Sequence, residues 1–113
     1  LYYVRIQQNN KYSKPVNLGP GINTEGNEVF PFIHRDDVLF FASDAHPGLG
    51  GLDIFLATGL GTESQDVENM GAPFNSSKDD FSLFLDKNFK YGLLSSDRSG
   101  GKGEDDIYSF YTE

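Results

Sequence analysis

The chain has no cysteine, no tryptophan and a single methionine. Missing thiols exclude disulfides, thiolate metal centres and cysteine nucleophiles, but leave the redox compartment open, because many secreted and periplasmic folds also lack cysteine. Basic residues are scarce: nine Lys and Arg face seventeen Asp and Glu, for a net charge of −8 and a pI near 4.5. A surface of that sign repels a phosphate backbone, so nucleic acid is not an expected partner. No apolar run approaches the roughly 18 to 20 residues of a membrane helix, and LYYVRIQQNN has neither an initiator Met nor a basic-then-apolar leader pattern. The chain is therefore expected to be an internal piece of a longer protein, without direct membrane insertion. Long breaker-free windows are rare too, since 13 Gly and 5 Pro are spread along the 113 residues, and long helices are not expected.

What is present is an internal repeat. Asn17-Leu18-Gly19-Pro20-Gly21-Ile22-Asn23-Thr24 aligns with Asn69-Met70-Gly71-Ala72-Pro73-Phe74-Asn75-Ser76 at an offset of 52, and Ser43-Asp44, Gly50 and Asp53-Ile54-Phe55 align with Ser96-Asp97, Gly103 and Asp106-Ile107-Tyr108 at 53. The added residue falls in the turn between the two blocks. Leu1-Tyr2-Tyr3-Val4 is a third, partial copy of the Ile54 and Ile107 segments, so the chain begins in mid-repeat. Within each period the apolar pattern has a period of two. Val29, Pro31 and Ile33 alternate with Phe30, Phe32 and His34; Phe81, Leu83 and Leu85 alternate with Ser82, Phe84 and Asp86. Turns at His34 to Asp37 and Asp86 to Asn88 precede short apolar runs suited to a strand buried on both faces.

These patterns predict strands near Leu1 to Gln7, Glu28 to Ile33, Val38 to Ser43, Asp53 to Thr58, Asp80 to Leu85, Tyr91 to Ser95 and Asp106 to Tyr111, with solvent-facing edge strands and loops in Gln7 to Pro15 and Thr58 to Glu68. Four short antiparallel strands per unit of about 50 residues is the pattern of a propeller blade. The expected fold is all-β, a partial β-propeller of about two four-stranded blades: residues 1–19 as outer strands of a preceding blade, 20–68 as one blade and 69–113 as most of the next.

The string NLGPGINTEGNEVFPFIHRDDVLFFASDAHPGLGGLDIF, with its echo NMGAPFNSSKDDFSLF and LLSSDRSGGKGEDDIYSF, resembles the WD-repeat-like, TolB-type β-propeller repeats of periplasmic OmpA-family proteins of Bacteroidetes, including the PorE-like ones of type IX secretion. The resemblance implies a periplasmic, outer-membrane-associated, non-catalytic scaffold that binds other envelope proteins, touching peptidoglycan only through a separate domain. Glu104 departs from the pattern by standing where the first copy has Gly51. The alternative from another class is a ligand-binding or hydrolytic propeller acting on a glycan or peptide in its central channel.

Asp44 with Asp53, and Asp97 with Asp106, bracket glycine-rich loops at equal spacing. Such carboxylates either accept hydrogen bonds from loop amides or join loop carbonyls around Ca²⁺. No D-x-[DN]-x-[DN]-G loop is present, and the expected role is turn and cap bonding, shared with Asn23, Asn75, Gly50 and Gly103. The glycines do not suit a phosphate cradle, because a strand follows where a dinucleotide or Walker loop needs a helix. His34 and His46 lie in separate predicted loops with no partner set for metal or acid-base work, and are expected to be exposed. Neighbouring acids such as Asp36-Asp37, Asp79-Asp80 and Asp105-Asp106 are expected to be solvated turn residues. No catalytic residue, cofactor or metal is assigned. His46, Leu49, Arg98 and Lys102 are expected to form an interaction rim, because equivalent loops of successive blades project from one face.

Overall fold

The computed structural model describes residues 1–112, apart from the side chain of Asp36. Among the described residues it is all-β, with two short 3-10 turns, at Gln8–Asn10 and Arg35–Asp37, and no α-helix. Nine strands form three antiparallel sheets. β1 (Tyr2–Tyr3) pairs with β2 (Val16–Asn17); β3 (Glu28–His34), β4 (Val38–Ser43), β5 (Asp53–Thr58) and β6 (Asp66–Asn69) pair in chain order; β7 (Asp80–Leu85), β8 (Tyr91–Ser96) and β9 (Asp106–Tyr111) do likewise.

The sequence repeat is also a repeat of register. Tyr2 lies opposite Asn17 as Phe55 lies opposite Asn69. Glu28 is cross-strand from Ser43, and Ser43 from Asp53; Asp80, Ser96 and Asp106 form the same row in the last sheet. The extra residue of the second copy falls in its β7–β8 turn, where it changes loop length without shifting pairing.

Both faces of the β3–β6 sheet are covered. On one side Leu39, Phe41, Phe55 and Ala57 close around Ile22, with Leu1 and Leu18 packed against them. On the other, Phe40 and Ile54 meet Leu83, Leu85 and Leu94 of the β7–β9 sheet. That burial explains the continuous apolar run of β4, which has a neighbour on each side.

Three sequence expectations are corrected. The first strand is two residues long rather than seven, because the chain leaves the sheet after Tyr3 and doubles back through an isolated Ile6–Tyr12 bridge. The first edge strand, Val16–Asn17, lies just past the polar stretch Gln7 to Pro15 expected to hold it, whereas the second, Asp66–Asn69, falls at the end of the expected stretch Thr58 to Glu68. In the stretch before β6, Gly59 and Gly61, with φ of 65° and 73°, hold the chain in turns. Finally, β3 does not alternate evenly. Val29 is opposite Ala42 but Phe32 is opposite Phe40, so Phe30 and Pro31 face one residue across a bulge, with Phe30 at φ 53°. The bulge turns Ile33 out to solvent and His34 in. A bulge at the equivalent place in β7, between Asp80 and Ser82, keeps Leu83 and Leu85 inward.

Candidate functional site

The features that recur in both copies gather at the end of the sheets where the second and third strands are joined by glycine-rich loops. There each of the two larger sheets carries a carboxylate, a serine and an aspartate in one row. In the first copy Glu28 accepts from the Thr24 amide (2.8 Å), the Thr24 hydroxyl (2.5 Å) and the Ser43 hydroxyl (2.8 Å). In the second, Asp80 accepts from the Ser76 amide (2.6 Å) and the Ser96 hydroxyl (2.6 Å). Glu28 was not singled out in the sequence, and Asp80, expected there to be a solvated turn acid, is instead fully buried at the start of β7, where Ser76 and Ser96 bond its carboxylate. The spacing Thr24-x-x-x-Glu28 and Ser76-x-x-x-Asp80 carries the signal for both.

Asp44 and Asp97 accept from the amides of Asn27 and Asp79, each at 2.8 Å, and so fasten the glycine-rich loop to the segment before the first strand. Asp53 accepts from the amides of Leu49 and Gly50, and Asp106 from that of Gly103 at 3.1 Å. All four aspartates therefore act on backbone amides, Asp53 and Asp106 on those of the glycine-rich loop itself and Asp44 and Asp97 on those of the segment before the first strand. Asp53 Oδ1 is buried without a hydrogen-bond partner, yet among the described residues no three His, Cys, Asp or Glu side chains converge as a metal site.

Asn23 and Asn75 do a different job. The Asn75 side chain accepts from the Ile54 amide (2.7 Å) and donates to the Ile54 carbonyl (2.9 Å) and to Asn69 Oδ1 (2.9 Å). Asn23 repeats this on Leu1: it accepts from the terminal amine and donates to the Leu1 carbonyl (2.7 Å) and to Asn17 Oδ1 (2.8 Å). Each Asn is a latch, satisfying both backbone groups of a residue in the preceding unit. The glycines complete the joint. A methyl on Gly50 would lie 2.3 Å from the Lys78 carbonyl oxygen, whereas one on Gly103 would find its nearest neighbour at 3.5 Å, in Asp106. Gly50→Ala is expected to cost about 1–2 kcal/mol by overpacking, and Gly103→Ala to stay within about 0.5 kcal/mol of the parent. Equal urea midpoints for the two variants would contradict the asymmetry.

The expected rim is only partly a surface. Leu49 and Lys102 are exposed, but His46 and Arg98 are half-buried. His46 donates from Nε2 to the Ile22 carbonyl (2.8 Å). Arg98 donates to the carbonyls of Pro73 (2.9 Å) and Phe74 (2.5 Å) and pairs with Asp80 (2.9 Å). Both side chains serve the carbonyl just before the latch Asn, which is why they turn inward. His34, also expected to be exposed, is buried against Phe89 and donates from Nε2 to the Asp86 carbonyl (2.8 Å), joining the two larger sheets at their opposite end. Its Nδ1 is buried without a partner. The expectation for Asp36 falls on a side chain outside the described residues.

No known protein family, curated protein or solved structure matches the chain significantly.

Three carboxylates are held below their ordinary ranges. Burial opposes the charge on Glu28, but bonds from Thr24 and Ser43, with the His46 charge, outweigh it. For Asp44 the cause is the Asn27 amide and then its side chain; for Asp86 it is the amides of Tyr91 and Lys90, with the His34 charge adding to them. A carboxylate depressed on folding stabilises above its unfolded pKa and loses that contribution as pH falls through the folded one. The urea midpoint should therefore fall as pH drops from the ordinary carboxylate range near 4 (~3.9 for Asp, ~4.3 for Glu) downward. Asp44→Asn should flatten that fall; an unchanged slope would remove Asp44 from the account.

Proposed function

We propose that the chain is part of a β-propeller and acts as a non-catalytic scaffold that binds other proteins of the bacterial envelope, in the periplasm and associated with the outer membrane. The observation that carries this reading is the Asn latch, used twice in the same register, which stacks successive sheets so that their glycine-rich loops leave from one end. A stiff stack of that kind displays loops at little cost in ordering entropy. The carboxylates and hydroxyls at that end bond backbone amides of the loops and of the segments before the first strands, and one another, which suits a frame. The resemblance to propeller repeats of OmpA-family proteins supplies the envelope setting, and type IX secretion is the system it suggests.

The rim available to a partner is Leu49 with Lys102, now that His46 and Arg98 are engaged internally. Lys102 is a cation on a chain of net charge −8, and would steer an acidic patch more than it would add affinity. Leu49→Asp with Lys102→Glu is expected to leave the melting temperature unchanged and to reduce recovery of envelope proteins by affinity capture from the parent protein at least tenfold. Full recovery by the folded double variant would dismiss this rim as the binding face.

A further inference from the structure

The β7–β9 sheet turns toward solvent the face that its counterpart, the β3–β6 sheet, buries against the following unit. Ile107 occupies the place of Ile54, and is 72% exposed where Ile54 is 1% exposed. Leu93 takes the place of Phe40 on the same face, and Phe84, Tyr91 and Tyr111 are exposed.

The backbone has the same asymmetry. Ile54 lies opposite Ala42 with its N–H and C=O turned away from β4, toward Asn75. Ile107 lies opposite Ser95 in the equivalent register, so its N–H and C=O turn outward in the same way. A third difference is at the loop. Gly50 makes room for the backbone of residues 76 to 78 of the following unit, and Gly103 keeps the corresponding space open.

We propose that the outward face of the β7–β9 sheet docks one further unit of the same repeat, whose Asn-apolar-Gly segment places its second Asn on the N–H and C=O of Ile107. The interface continues one the molecule already builds twice, at Leu1 and at Ile54. A repeat unit cannot bury its apolar face alone, and stacking supplies the cover. A second copy of this chain is not the occupant, because both its latches, Asn23 and Asn75, are engaged on its own strands.

The site also selects. Glu104 stands at the position of Gly51, where a methyl would already approach Asp79 Oδ1 to 2.2 Å. The docking unit therefore carries a residue other than an acid at the place of Asp79; the first unit has Asn27 there. The inference needs only stacked sheets, so it stands apart from the scaffold and propeller readings.

The test is to extend the whole chain after Glu113 with a second copy of residues 61 to 113 carrying Asp79→Asn, and to follow amide hydrogen exchange. Exchange at Ile107 is expected to slow at least tenfold relative to the 113-residue chain. Asn75→Ala in the appended copy should reverse that. Gly103→Ala, near-silent in the 113-residue chain, should lower the melting temperature of the extended one. Unchanged exchange at Ile107, or protection that survives Asn75→Ala in the appended copy, would overturn the proposal. Concentration-dependent dimerisation of the 113-residue chain with Ile107 protected would assign the face to a second copy instead. Small-angle scattering of the extended chain reports separately whether the stack curves, which bears on the propeller reading alone.

Discussion

Replacing Arg98 with Met is expected to destabilise the protein by about 3 kcal/mol, the scale of a buried charge left without its partner. Asp80 is fully buried, and Arg98 is the cation that pairs with it. Ser76 and Ser96 still bond the carboxylate in the variant, but they supply no compensating charge, and the carbonyls of Pro73 and Phe74 lose their donor. Because Met keeps most of the aliphatic stem, packing changes little. Asp80→Asn in the same background should restore part of the loss. Urea unfolding of the parent, both single variants and the double variant measures the coupling directly. A loss below about 1 kcal/mol for Arg98→Met would place the pair among weak surface ion pairs. The same experiment bears on function: reversing charge at residue 98 perturbs the fold first, so any loss of binding in such a variant reports unfolding rather than a lost contact.

Asn75→Ala is the second large effect, expected at about 2–3 kcal/mol, since each buried backbone group left unpaired costs about 1–3 kcal/mol. The substitution strips the Ile54 amide of its Asn75 acceptor and the Ile54 carbonyl of its side-chain donor, while the Met70 amide still bonds that carbonyl. Asn23→Ala, at a half-buried latch with water at hand, should cost about 1 kcal/mol or less. Hydrogen exchange gives a finer readout: the Ile54 amide should exchange far faster in Asn75→Ala while the centre of β4 stays protected. Equal losses for the two variants would mean that burial does not set the strength of the latch.

Much of this architecture could be read from the residues. Six of the seven expected strand segments follow from alternation and short apolar runs, the exception being the first, which is cut to Tyr2–Tyr3, and their order follows from the repeat, because Asp53-Ile54-Phe55 and Asp106-Ile107-Tyr108 place equivalent third strands. The carboxylates around the glycine-rich loops were also visible, through their equal spacing. Less visible was the bulge at Phe30, since an inserted residue at positive φ leaves no mark on an alternating pattern when aromatics occupy both phases. Arg98 was misread for a different reason. The repeat aligns it with Ala45, so nothing in the alignment shows that the carbonyl before each latch needs a donor; the first unit supplies one a residue later, from His46. His34 was placed outside because a polar turn was expected to begin there, whereas the bulge carries it into the joint with Asp86.

The direction of the latches bears on the order in which the molecule assembles during synthesis. Asn75 lies 21 residues after the Ile54 amide it satisfies, so the β3–β6 sheet emerges with that strand uncapped and one face bare. At about 5–20 residues per second, the interval before its latch is made is about 1–4 s. For that time, and until Leu83, Leu85 and Leu94 follow, the nascent sheet offers Phe40 and Ile54 to any passing partner, and the growing chain must supply the cover before a stranger does.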